Sequence, residues 1–219
     1  MARGAAALAA ALLLGGLGGR ATAPSPSGRG PVVAAAQASP GSQVVAGVPV
    51  SFAETRAGAA AAIAAYQQSF ASPAILRPAV MRARVRAVAT ADYAAKLLEV
   101  NRPGVERIAA GPIGLGISHN LRTVYTAVPI GYRVQSFSPS RARLLTWGFT
   151  LLGNASAVEP AAYFGLTHTE LVRQEGTWKI AETRAGFGPT PKLATKPGPL
   201  GAYDVIDLAQ ELRSYALAP

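Results

Sequence analysis

Residues 171–183 have the sequence LVRQEGTWKIAET. Four residues, Gln174 to Thr177, separate two runs in which apolar and polar side chains alternate. A short glycine-containing connection between two such runs is typical of a β-hairpin. The stretch therefore predicts a strand that ends at Arg173, a tight turn, and a returning strand over Trp178–Thr183.

Further strands are predicted in the residues that precede this hairpin. Its first strand is expected over Ala162–Arg173, where apolar and polar residues alternate. A second alternating run covers Arg141–Leu152, after a turn at Ser138–Ser140. The run Leu121–Phe137 is rich in β-branched and aromatic residues, with Pro129–Gly131 expected as a bulge or bend.

Helices are predicted before the strands. Glu54–Phe70 is rich in alanine, the residue with the highest helix propensity. Pro78–Ala89 and the residues from 91 to 100 carry apolar side chains at helical spacing. We expect Asn101–Gly104 to form a turn and Gly111–Gly116 a glycine-rich loop.

Three helices followed by antiparallel strands predict an α+β fold, in which N-terminal helices pack on one face of a curved antiparallel sheet. This domain is expected over residues 51–187. Residues 188–219 are predicted as a Pro-rich tail that ends in an amphipathic helix over Tyr203–Leu217, with Val205, Leu208, Leu212 and Tyr215 on one face.

The N-terminus has the pattern of an export signal. Arg3 precedes 13 uninterrupted apolar residues, Ala5–Leu17, a length typical of a signal peptide and below the roughly 20 residues that span a bilayer. Ala21–Ala23 has the pattern of a cleavage site, but Pro24 follows it, where proline hinders cleavage. Residues 1–23 are therefore predicted to be either a signal peptide or a retained membrane anchor.

Residues 24–50 are rich in Pro, Ser, Gly and Ala and contain one charged residue, Arg29. Such a composition is typical of a flexible linker. A signal or anchor followed by a linker places the predicted domain outside the cytoplasm, secreted or held at the outer face of the membrane.

The amino-acid composition excludes several kinds of site and indicates which partners the protein could bind. The chain has no cysteine, which excludes disulfides, zinc–thiolate sites, thiol nucleophiles and lipoprotein attachment. Its net charge of +10 favours anionic partners such as lipid or cell-wall polymers. Nucleic acid is not an expected partner, because no aromatic residues interleave the cluster Arg82, Arg84 and Arg86. The abundance of Ala, Gly, Pro and Arg is typical of a GC-rich actinobacterium.

The order of helices and strands, with LVRQEGTWKIAET as the best local match, resembles the nuclear transport factor two-like (cystatin-like cone) superfamily over residues 54–185. The resemblance implies that Trp178 closes the sheet. Exported members of that superfamily behind an N-terminal anchor often serve as scaffold parts of conjugation or secretion machinery, whereas others are small isomerases and dehydratases.

Three residues are candidates for ligand binding: His168, Asp92 and Tyr93. Strand alternation places His168 with Phe164 and Leu166, which we expect on the inner face of the sheet. Asp92 and Tyr93 resemble the acid and tyrosine in the pockets of the superfamily's enzymes. A structural role also explains Asp92, because an acid in the first helical turn is favoured by the helix dipole.

We assign no catalytic residue, metal site or cofactor from the sequence. His119 and His168 have no carboxylate at ligand spacing. The expected function is a non-enzymatic scaffold or accessory domain with protein partners in the cell envelope. The alternatives are a small pocket enzyme or ligand-binding protein, and an envelope protein that binds anionic wall polymer or lipid. An open interior cavity lined by carboxylates would favour the enzyme, and an interior filled with aromatic side chains would favour the scaffold.

Overall fold

A computed structural model describes residues 43–155 and 158–189, together with a short strand at Ala216–Leu217. The helices are α1 (Arg56–Phe70), α2 (Pro78–Val88), α3 (Ala91–Ala110) and α4 (Pro112–Ser118), with a 3₁₀ turn (Pro73–Leu76) between α1 and α2. The strands are β1 (Val44–Val45), β2 (Val48–Pro49), β3 (Thr123–Ser138), β4 (Arg141–Asn154), β5 (Val158–Gln174), β6 (Thr177–Phe187) and β7 (Ala216–Leu217).

The long strands form one antiparallel sheet in the order β6-β5-β4-β3, and β7 pairs with the outer edge of β3. The turn between β5 and β6 has positive φ at Glu175 (50°) and Gly176 (74°), which is the backbone of a type I′ hairpin turn. The hairpin predicted from LVRQEGTWKIAET is therefore confirmed. The predicted α+β class is confirmed as well, with helices followed by an antiparallel sheet.

We call the face of the sheet that contacts the helices the inner face, and the opposite one the outer face. Alternate residues of β4 such as Ala142 and Leu144 belong to the main core on the inner face. On β5 the inner-face residues are Thr167, Thr169 and Leu171, which pair with the inner-face residues of β4. The core between helices and sheet includes Ile63, Tyr66, Val85, Val88, Leu97, Leu144, Leu171, Trp178 and Ile180.

The predicted bulge in β3 is confirmed, because the pairing with β4 shifts register between Pro129 and Gly131. At the same level of β4, a side chain on Gly148 would lie 2.5 Å from the carbonyl oxygen of Val128. Gly148 therefore allows two backbones to approach closely at the bulge.

The predicted turn at Asn101–Gly104 is wrong, because α3 continues through these residues to Ala110. Val105 and Ile108 are buried in the same core as Leu97, and their burial outweighs the cost of Pro103 inside the helix. Asn101 is also buried, and its side-chain amide donates to the carbonyl of Leu97 (2.7 Å).

The predicted loop at Gly111–Gly116 is wrong too, because Gly111 is the N-cap of α4 and the residues from 112 to 116 lie within that helix. Pro112 occupies the first helical turn, where a missing N–H costs nothing. Side chains on Gly114 and Gly116 would collide with Ala109 and Asn154. These glycines allow close packing instead of loop flexibility.

Part of the predicted linker is structured. Residues 43–50 contain the β1–β2 hairpin, because Val48 and Val50 are buried in the main core. The signal or anchor, the rest of the linker and the tail from 190 to 215 lie outside the described residues. Ala216 and Leu217, predicted as the end of a helix, form a strand on β3. In the part of the chain described, no helix is long and apolar enough to cross a membrane.

Candidate functional site

A small cavity lies on the inner face, between α1 and the middle of the sheet. Its volume is ≈ 40 Å³, enough for about three water molecules. Four buried polar side chains on α1, β4 and β5 line it: Gln67, Thr146, Thr150 and Thr167.

Two of these side chains, Gln67 and Thr146, are hydrogen-bonded to each other. The amide of Gln67 donates to the hydroxyl of Thr146 (2.9 Å), and that hydroxyl donates to the carbonyl of Thr167 (3.3 Å). Buried polar groups in native proteins are almost always paired in this way. Among the described residues that line the cavity there is no carboxylate, lysine, arginine or histidine, so the lining offers no strong general acid or base.

Aromatic side chains fill the interior toward the β5–β6 turn. Tyr66 and Trp178 are fully buried, and the Tyr66 hydroxyl donates to the carbonyl of Trp178 (2.6 Å). The Trp178 indole donates to the carbonyl of Ala53 (3.0 Å), and Phe52 packs edge-on against Tyr66 with ring centroids 6.2 Å apart. Burial raises the pKa of Tyr66, although the nearby Arg173 opposes the shift. This tyrosine is therefore a neutral hydrogen-bond donor within the core.

Arg173 lies beside Trp178 at the end of the interior nearest the β5–β6 turn. Its guanidinium lies 5.4 Å from the centre of the Trp178 ring and donates to the carbonyl of Phe52 (2.8 Å). It also pairs with Glu54 at 3.1 Å. Arg173 thereby fixes the residues before α1 to the hairpin.

His168 lies on the outer face, and its predicted position on the inner face is wrong. It shares a face with Phe164 and Leu166, as strand alternation predicts, but the threonines between these residues face the helices. Its side chain is exposed to solvent. The part that is buried, and then the positive charges of Arg133 and Arg184, hold the pKa of His168 below the ordinary value. His168 therefore does not line the cavity.

Tyr93 binds the backbone of β6. Its hydroxyl donates to the carbonyl of Thr183 and accepts from the N–H of the same residue, both at 3.0 Å. Burial is the main cause of the raised pKa of Tyr93. Asp92 is exposed in the first turn of α3, where Thr90 caps the helix by accepting from the N–H of Tyr93 (3.3 Å).

The three predicted ligand-binding residues are thus not brought together in one pocket. Among the described residues, no cluster of three or more His, Cys, Asp or Glu side chains could hold a metal ion. The polar lining of the cavity was missed by sequence reasoning. The signal for it was Gln67, a polar residue four positions after Ile63 on the buried face of an apolar helix.

Comparison with protein-family models, curated proteins and solved structures found no match to this chain.

Proposed function

We propose that the protein is a non-enzymatic scaffold domain outside the cytoplasm, in an envelope-associated assembly of the conjugation or secretion type. The observation that carries the proposal is the filled interior. A cavity of ≈ 40 Å³ is far below the roughly 300–1,000 Å³ of pockets for drug-sized ligands. Among the described residues, side chains such as Tyr66, Leu144 and Trp178 occupy the volume between helices and sheet.

The position of the titratable groups supports the same function. A small pocket enzyme needs a base or acid within hydrogen-bond reach of its substrate. Tyr93 is engaged with the backbone of Thr183, and His168 lies on the other side of the sheet from the cavity. Neither of these two candidate ligand-binding residues therefore lines the described cavity.

The proposed location rests on the N-terminal sequence. A basic residue, an apolar run of 13 residues and a linker poor in charge precede the domain, an arrangement that suits a domain tethered near a membrane.

The test is isolation of the tagged chain from its own host at native abundance. Cells are fractionated, the envelope is solubilised in mild detergent, and complexes are sized on a native gel and identified by mass spectrometry. A scaffold component is expected in the envelope fraction, in a complex with reproducible protein stoichiometry. A 22.4 kDa monomer found in the cytoplasmic fraction would contradict the proposal.

One observation favours a second function, attachment to anionic wall polymer or lipid. Arg77, Arg82 and Arg86 of the α2 region are exposed and form no ion pair with any described residue. Arg84 does not contribute to this surface, because its guanidinium donates to the backbone of Ser69 and to the hydroxyl of Ser72.

Attachment of this kind weakens with salt, because exposed charges are screened. The double variant Arg82→Glu, Arg86→Glu is expected to release the protein from isolated envelopes if the second function is right. Arg107→Glu, an exposed arginine on α3, is the control. Retention of both variants in high salt would favour binding to protein partners instead.

A further inference from the structure

The outer face of the sheet carries an apolar cluster that no described helix covers. Trp147 stacks on Phe164 with ring centroids 5.8 Å apart, and Phe149 lies 5.4 Å from the same ring. Leu145 and Trp147 are only 5% and 2% exposed, yet neither belongs to the main core between helices and sheet. Such complete burial requires covering atoms above the outer face.

The described residues on either side of the segment 190–215 both lie beside this cluster. The Trp147 indole donates to the carbonyl of Pro189 (3.0 Å), which places the start of the C-terminal tail at Trp147. Downstream, Leu217 pairs with Gly131, and Gly131 is the β3 partner of Trp147. Pro189 and Leu217, which flank the segment 190–215, therefore lie at the same level of the sheet. They are a few strand spacings of about 4.8 Å apart.

The sequence of that segment matches the surface. Val205, Leu208 and Leu212 recur at helical spacing, as do the acids Asp204, Asp207 and Glu211. The two sets would form adjacent stripes on one helix.

Basic side chains, which are opposite in charge to the acids of the segment, lie beside the apolar cluster of the outer face. Arg133 on β3 and Arg184 on β6 lie in one cross-strand row with Leu145 of β4. Arg184 already pairs with Glu182 at 2.6 Å. Arg133 forms no hydrogen bond or ion pair with any described residue, and its Nε is buried. A buried guanidinium nitrogen without an acceptor is costly, so a carboxylate from above would stabilise it.

We propose that residues 190–215 lie across the outer face of their own sheet, with the apolar stripe on the Trp147 cluster and the acidic stripe toward Arg133 and Arg184. The outer face is then an intramolecular interface. Partners of the domain contact the helical side or must displace the tail. This inference does not depend on the proposed scaffold function.

The absence of cysteine from the chain makes a cross-linking test clean. Leu166→Cys on the outer face is combined in the full chain with Val205→Cys, Leu208→Cys or Leu212→Cys, and treated with a short bismaleimide. At least one pair is expected to give an intramolecular cross-link in high yield. The control pairs the same tail cysteines with Leu115→Cys, an exposed residue on α4, and is expected to react at least about fivefold less.

Each other outcome overturns the proposal. Cross-linked dimers would show that a second copy covers the face. Equal yields from Leu166→Cys and Leu115→Cys pairs, or no cross-link from any tail position, would show that the tail does not dock there.

Fluorescence provides a second test in the full chain. Trp178 is fully buried in the main core, so a change in acrylamide quenching reports mainly on Trp147. The double variant Leu208→Asp, Leu212→Asp is expected to raise the quenching constant about twofold and shift emission to the red. The control Gln210→Asp, Ser214→Asp adds the same charge off the apolar stripe and is expected to leave both unchanged. Equal quenching of the two variants would overturn the proposal.

Discussion

Substitution of Tyr93 by phenylalanine separates a structural role from a ligand-binding one. The Tyr93 hydroxyl makes two hydrogen bonds of 3.0 Å to the backbone of Thr183, a buried residue of β6. Phe keeps the ring packing but leaves one buried N–H and one carbonyl without this partner. An unsatisfied buried polar group costs about 1–3 kcal/mol, so we expect a loss of about 2 kcal/mol in the free energy of unfolding.

The assay is urea unfolding of both proteins, followed by far-UV circular dichroism. Tyr132→Phe is the matched control, because Tyr132 is also half-buried but its hydroxyl bonds to no described residue. Its change is expected to stay within about 0.5 kcal/mol.

The pH dependence adds a second readout. The folded-state pKa of Tyr93 is raised, so above its ordinary pKa of about 10 the unfolded chain loses this proton first. Stability is therefore lost as pH rises, and Tyr93→Phe should lose less than the parent over that range. A variant as stable as the parent at neutral pH, or more stable, would refute the structural role. Such a result is typical of residues kept for binding.

Two further substitutions test the packing around the interior. Gly148→Ala places a methyl group 2.5 Å from the carbonyl oxygen of Val128 and is expected to lower the free energy of unfolding by about 1–3 kcal/mol. The control Gly186→Ala has open space around it and should change stability little. Equal effects of the two variants in thermal unfolding would contradict the close approach at the bulge. Arg173→Met removes the hydrogen bond to Phe52 and the contact over Trp178 and is expected to cost about 2 kcal/mol. Arg143→Met, whose side chain is 59% exposed beside Glu170, should cost less than about 1 kcal/mol, and the reverse order in urea unfolding would refute the role of Arg173.

The strands could be predicted from the sequence because their signals are local. Alternation and a glycine at the turn decide the β5–β6 hairpin, where Gly176 takes positive φ. The bulge at Pro129 is equally local, since proline cannot donate to a ladder.

The ends of the helices depend on tertiary packing and were not predictable from local pattern. Pro103 is a helix breaker by propensity, but the burial of Val105 and Ile108 keeps α3 continuous. Gly114 and Gly116 have the composition of a loop, while their role is to let α4 approach its neighbours. The distance between two backbones in the fold cannot be predicted from hydrophobic periodicity.

The position of His168 shows why the face of a strand is harder to predict than its alternation. The pattern correctly groups His168 with Phe164 and Leu166. It does not say which face meets the helices when both carry apolar groups. Here Thr167 and Thr169 face inward, and the aromatic residues build a second cluster around Trp147. A strand with apolar residues on one face and buried threonines on the other indicates coverage on both sides.

The most direct test of the central claim is native mass spectrometry of the chain isolated from envelopes, where the proposed scaffold function places it in a complex. The proposed scaffold function predicts a complex of protein subunits, and the small cavity of ≈ 40 Å³ predicts that the chain is released from it at its own polypeptide mass. A stoichiometric organic ligand that remains bound to the released chain, and is lost in the variant Gln67→Phe that fills the cavity, would contradict the scaffold function.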